Sequence, residues 1–159
     1  MGVRGDRGCR EDCERSKTME KVSIKCKVAV SGNVRAKLLY SKDSFCFWGG
    51  ADPQSGLIRD NRSDCYEKNM AGQVFAFPFG KGSSGAGLVI LEQVRLDCAP
   101  AAIINLRSDP VILTGPLIAK HFYNKSIPVV NLSEEDYEKL EGAKEIEFFE
   151  DKDYIDVYY

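Results

Sequence analysis

From Lys21 the chain alternates strictly: Val22, Ile24, Cys26 and Val28 fall on one side, and Lys21, Ser23, Lys25 and Lys27 on the other. A period of two belongs to a half-buried β-strand, whose successive side chains point to opposite faces. Ser31-Gly32-Asn33 then supplies turn residues. Further short strands are expected at Arg35–Tyr40, Phe45–Trp48 and Gln73–Phe77, separated by loops containing glycine, proline and asparagine. The first half therefore reads as β-rich.

After Gly80 the period lengthens. The run Leu88-Val-Ile-Leu-Glu-Gln-Val94 predicts a helix over about 84–96, followed by a strand at Ala101–Leu106. A helix over about 112–123, with Pro116 near its first turn, and a strand at Ile127–Val130 come next. Strand–helix alternation of this kind implies a parallel βαβ arrangement. Ser133 followed by Asp136 resembles a capping box opening a short helix that Gly142 ends. Glu145–Phe149 and Tyr154–Tyr158, joined by Glu150-Asp-Lys-Asp153, read as a closing hairpin. Residues 1–18 mix charge with glycine and lack apolar periodicity, so they are expected to be a disordered extension. Met19 is a candidate functional start, and residues 19–159 are expected to form a single domain without internal repeats.

A chain of 159 residues can hold a core without covalent staples. The cysteines at 9, 13, 26, 46, 65 and 98 form no CxxC pair, which argues for reduced thiols over a disulfide scaffold or a structural metal. Cys9 and Cys13 alone are too few to hold a metal or a cluster. No apolar run approaches 18 residues, and residues 1–20 contain no hydrophobic stretch, so neither a membrane span nor a secretory signal is expected. The protein is expected in the cytoplasm.

The net charge of −2 is unevenly placed, because residues 131–159 carry 11 acids against 3 bases. The body is correspondingly basic. With no arginine-rich run, it suits an anionic small molecule better than a nucleic acid.

Gly80-Lys81-Gly82-Ser83-Ser84-Gly85 lies between the apolar run ending in Phe77-Pro78-Phe79 and the expected helix. Glycines let backbone approach a ligand closely, and helix-opening amides favour an anion. Two hydroxyls are delivered to the same place, where one can also serve as a stabilised base. The spacing of Gly80, Gly82 and Gly85 satisfies G-x-G-x-x-G, the dinucleotide pattern. Against that reading, the following strand ends Leu106-Arg107-Ser108, without the acid that would hold a ribose. A Walker A loop fails, since Gly82 follows Lys81 where serine or threonine is required. A structural alternative is that one serine simply caps the helix.

Trp48-Gly49-Gly50-Ala51-Asp52-Pro53-Gln54-Ser55-Gly56 holds the only tryptophan together with a Gly-Gly and an Asp-Pro turn. Taken with Gly80–Gly85 and with Arg107-Ser-Asp-Pro-Val-Ile-Leu-Thr-Gly-Pro-Leu-Ile-Ala119, it resembles the small subunits of the aconitase X family, most of all the phosphomevalonate dehydratase branch. The resemblance covers about residues 20–131. It implies an α/β fold of the swivelling β/β/α type, like the mobile domain of aconitases. It implies a separate large subunit carrying an iron-sulfur cluster, of 4Fe-4S type, with no cofactor bound by this chain. It also implies that Ser83 is the proton acceptor, with Lys81, Gly82, Ser84, Gly85 and Asp52 as substrate-binding candidates. The reaction implied is dehydration of (R)-5-phosphomevalonate to trans-anhydromevalonate 5-phosphate in the archaeal form of the mevalonate pathway. A related dehydratase for another hydroxy acid or hydroxyproline is the alternative, and a stand-alone module for a phosphorylated metabolite or nucleotide is a third.

Asp52 either orients substrate or caps its own turn, and Arg59, Arg62 and Arg107 are either phosphate ligands or surface charges. His121, the only histidine, is expected in a packing or surface role. Within Arg59–Met70 the chain has Ser63-Asp64-Cys65 where the family pattern leads one to expect His-Pro, so this loop is expected to differ.

Overall fold

The computed structural model describes residues 18–82 and 84–159. The expectation of disorder for 1–18 therefore falls, apart from Thr18, outside the described residues. The strands are β1 Lys21–Lys25, β2 Lys27–Val30, β3 Val34–Tyr40, β4 Val74–Ala76, β5 Ala102–Asn105, β6 Val129–Asn131, β7 Glu145–Phe148 and β8 Tyr154–Tyr158. A one-turn segment α1 Phe47–Gly50 precedes the helices α2 Ala86–Arg95, α3 Pro110–Tyr123 and α4 Glu134–Glu138.

The strand order is β1-β8-β7-β3-β4-β5-β6-β2, so its two ends are consecutive in the chain. β1 pairs antiparallel with β8, and β2 pairs antiparallel with β6. Between them Cys26 donates its N–H to Asp153 O at 2.7 Å. The long alternating strand expected from Lys21 is thus two short strands serving two sheets. Its alternation survives only in the middle: Ile24 and Cys26 are buried, while Val22 and Val28 are over a third exposed. A second corner lies in β3, which pairs antiparallel with β7 through Val34–Lys37 and parallel with β4 through Leu38–Tyr40.

β4, β5 and β6 are parallel neighbours, as the alternation after Gly80 implied. Their side chains are buried on both faces, which explains their unbroken apolar sequences. Phe75, Ile103 and Val129 point toward α2 and α3, where they meet Ile90 and Ile112. Val74, Ala76, Ile104 and Val130 point the other way, onto Ile146, Phe148, Ile155 and Val157 of the hairpin. The result is the expected β/β/α layering: hairpin sheet, central sheet, helices.

Two expectations are corrected. Phe45–Trp48 is not a strand: only Phe45 bridges Gly80, after which the chain coils tightly. Gly49 takes φ 82°, which lets Ala51 N–H reach Phe47 O at 3.1 Å. α3 begins at Pro110, before its predicted start, because Asp109 caps it by accepting from Ile112 N–H at 2.9 Å. Pro116 consequently sits mid-helix, where the missing N–H removes an intrahelical bond. The adjoining Gly115 brings α3 against α2, with Gly115 N and Gly87 among the close contacts.

Candidate active site

Loops after β3 and β4 emerge on the same side of the central sheet because those strands are parallel. This carboxyl end is where α/β sheets place ligands. The loops are joined through backbone: Phe45 N–H donates to Phe79 O, and Lys81 N–H to Phe45 O, both at 3.0 Å. Beneath them Phe45, Phe47, Phe75 and Phe77 form a fully buried cluster of edge-to-face and tilted rings with centroids 4.8–6.3 Å apart. Apolar packing thus fixes both loops against one floor.

The glycine turn fits closely against the tryptophan loop. A Cβ on Gly85 would lie 2.4 Å from Trp48 Cε3, and one on Gly82 would lie 2.7 Å from Cys46 Sγ. Gly82 also has φ 85°, a left-handed conformation that suits glycine. Gly80 abuts Asp109 and Ile112 at the start of α3. All three sequence motifs therefore meet in space. α2 is opened by Gly85 without a side-chain cap, so the position that a capping serine would occupy is glycine.

A cleft of about 490 Å³ opens beside the turn, lined by Cys46, Trp48, Arg59, Asp60, Asn61 and Arg62 and the backbone of Gly49 and Gly50. A recess of about 90 Å³ adjoins Gly80, Lys81 and Gly82. Lys81, Gly82 and Ser84 are exposed here and Gly85 half-buried, whereas Ser83 falls outside the described residues. Asp52, in the tryptophan loop, is not among the residues lining either space. Its carboxylate accepts from Gln54 N–H at 3.1 Å, Ser55 Oγ at 2.7 Å and Arg59 Nη2 at 2.8 Å. The Ser55 and Gln54 bonds, with the Arg59 charge, hold its carboxyl below the ordinary aspartate range. Asp60 is held low as well, first by Arg62 N–H, then by the Arg62 guanidinium and the Lys81 charge.

The triplet Ser63-Asp64-Cys65 also has a structural explanation. Asp64 accepts from Ser41 Oγ at 2.6 Å and Lys42 N–H at 2.8 Å, and the fully buried Cys65 donates to Tyr40 O. These contacts tie the 59–70 loop to the end of β3. Cys46 and Asp60 escaped sequence reasoning, although an aspartate two residues before Arg62 carries the Asx-turn signature. Arg107 is exposed and is not among the residues lining the cleft. His121 is exposed near the end of α3, edge-on to Phe122. Another cleft, of about 400 Å³, opens between Tyr40, Lys42, Leu106 and Tyr137, but Glu134, Glu138 and Glu141 on its walls repel anions.

The sequence profile of the aconitase X swivel domain matches residues 23–157. The chain belongs to this family. Among similar proteins, the phosphomevalonate dehydratase small subunit of Methanothermobacter thermautotrophicus is 34% identical over 127 residues, covering 79% of this chain and 92% of that one. The cis-3-hydroxy-L-proline dehydratase of Pseudomonas aeruginosa is 32% identical over 105 residues, covering 66% of this chain but only 18% of that longer protein. A crystal structure of Thermococcus kodakaraensis aconitase X in its holo-form superimposes with a TM-score of 0.74 at 26% identity, covering 86% of this chain and 98% of that one.

The aconitase relationship raises the question of an iron-sulfur cluster. Among the described residues, no group of three or more His, Cys, Asp or Glu side chains is placed to hold a metal ion. Cys26, Cys65 and Cys98 are buried and Cys46 is half-buried. The described donors of this swivel domain do not fit such a group. Among the described residues, no helix is long and apolar enough to cross a membrane.

Proposed function

We propose that this chain is the small subunit of a hydro-lyase that dehydrates (R)-5-phosphomevalonate to trans-anhydromevalonate 5-phosphate. The observation that carries the reading is the convergence of the tryptophan loop, the glycine turn and the start of α3 on one cleft. Phosphomevalonate dehydratase small subunits are the relatives that this chain matches over most of both lengths. In this reading residues 19–159 are one swivel domain, active in the cytoplasm only when docked on a large subunit. Nucleic acid and membrane are not partners. The large subunit holds the iron-sulfur cluster.

Eliminating water requires a base for the C–H proton, and Ser83 is the proposed base. Serine needs help to ionise near neutrality, and the glycine turn supplies it in two forms. The first-turn amides of α2 favour negative charge, and Lys81 adds a cation two residues before Ser83. Ser84, Gly82 and Gly85 shape the turn that receives the substrate. Asp52 acts indirectly, by fixing Arg59.

A hydroxyproline-type reaction is the second reading, favoured by the match to the Pseudomonas dehydratase. Coexpression with the large subunit, followed by anaerobic incubation with either substrate, separates the two. The proposal expects copurification and the unsaturated phosphate product. Turnover of hydroxyproline alone, or a monomer without a partner, contradicts it.

A further inference from the structure

Arg59 and Arg62 enter the cleft with their charged ends outermost and their carboxylate partners sunk behind them. Their side chains are 62% and 83% exposed, whereas Asp52 and Asp60, which they contact at 2.8 and 3.3 Å, are 12% and 11% exposed. Those carboxylates are themselves fixed by backbone, Asp52 by Gln54 N–H at 3.1 Å and Asp60 by Arg62 N–H at 3.0 Å. A guanidinium has five donors, so one carboxylate leaves a planar fork for a second anion. Anchoring from behind also reduces the side-chain entropy that an arginine loses when it binds. Lys81, close enough to depress the Asp60 carboxyl, adds a third cation at the edge of the turn. Trp48, 57% exposed, supplies an apolar wall.

We infer that this cleft is the subsite for the phosphorylated end of the substrate, with Arg59 and Arg62 as its ligands and the 80–85 turn left to the reacting end. The assignment of which substrate end lies here rests on the dehydratase reading, whereas the affinity for a phosphate group does not. Asp52 and Asp60 each engage a single nitrogen of their arginine, Nη2 of Arg59 and Nε of Arg62, so the other guanidinium N–H groups are not taken up by these carboxylates. The neighbouring cleft at Tyr137 has the opposite character, with Lys42 engaged by Glu141 at 2.6 Å.

Trp48 is the only tryptophan, so its fluorescence reports on the cleft. Titrating the full chain with inorganic phosphate, and with acetate as a monoanionic control, is expected to give a saturable response to phosphate alone. Arg59→Gln and Arg62→Gln are each expected to weaken it about tenfold, the scale of one charged hydrogen bond. Arg95→Gln, on α2 and paired with Glu92, is expected to change nothing. In the assembled enzyme the same two variants are expected to raise KM for the phosphorylated substrate about tenfold while kcat stays within about threefold. Phosphate binding equal to that of the unsubstituted chain in both variants, or an unchanged KM in both, overturns the subsite even if the enzyme turns over phosphomevalonate. Arginine-dependent phosphate binding in an assembly inert toward phosphomevalonate upholds the subsite and overturns the dehydratase reading instead.

Discussion

The indole of Trp48 rests on Gly85 so closely that a methyl group there would come within 2.4 Å of Cε3 and 3.0 Å of Cδ2. Gly85 itself has φ −76°, so alanine is accessible to its backbone and only the ring stands in the way. Because Trp48 is over half exposed, it can swing outward. Gly85→Ala is therefore expected to cost only about 0.5–1 kcal/mol of stability, the scale of a changed N-cap. Trp48 emission should shift and activity of the assembled enzyme should fall at least about tenfold, as expected when a substrate-positioning wall moves. Unfolding curves and steady-state assays of the same preparation check the split.

Gly115 is a different case, because its neighbours cannot leave. A Cβ there would lie 2.8 Å from Ile90 Cβ, 2.9 Å from Ile90 Cγ2 and 3.1 Å from Gly87 O. Replacing a helical glycine by alanine gains about 1 kcal/mol of propensity, but overpacking a core typically costs about 1–3 kcal/mol. The second effect wins, since Ile90 is fully buried and carries the α2–α3 contact. Gly115→Ala should lower the urea midpoint by an amount equivalent to a net loss of up to about 2 kcal/mol.

Asp52 and Asp60 both have carboxyls held below the ordinary value of 3.8. A group depressed by folding contributes stability that is present above its unfolded pKa and lost as pH falls through the folded one. The arrangement of Arg59 and Arg62 should therefore persist through the mildly acidic range and fail only below about pH 3.8. Trp48 fluorescence against pH reads this out directly. Asp52→Asn removes the Arg59 component, so in that variant the Trp48 signal should lose its dependence on Asp52 titration.

Burial pushes the thiols of Cys26 and Cys65 up to about 11. At neutral pH they should resist iodoacetamide in the folded protein. Cys46, half-buried beside Gly82, should be the first of the described cysteines to react. Peptide mass mapping of a time course tests the order.

Much of this fold is legible in the chain because local and tertiary preferences agree there. The segments around Phe75, Ile103 and Val129 are apolar on both faces and become the buried parallel strands. Ser133 caps α4 through Asp136 N–H at 3.2 Å, and the acidic hairpin forms in register. What was not legible depends on partners distant in sequence. Nothing near Cys26 announces that the strand changes sheets, because the cause is Asp153. Phe45–Trp48 has strand-forming residues, yet Phe45 and Phe47 are claimed by Phe75 and Phe77, and Gly49 bends the chain. Within the site, the motifs located the turn and the tryptophan loop. Burial behind the arginines was hidden, since Asp52 and Asp60 look like any other loop acids until their hydrogen bonds are known.

In the proposed reaction this chain contributes the base to a site completed by its large subunit. The most direct measurement is the rate of trans-anhydromevalonate 5-phosphate formation by the assembled enzyme carrying Ser83→Ala, compared with the unsubstituted assembly under anaerobic conditions. Removing a general base should cost about 10²–10⁴-fold in kcat, with copurification of the two subunits and KM for phosphomevalonate little changed. Near-normal turnover by the Ser83→Ala assembly would contradict the claim.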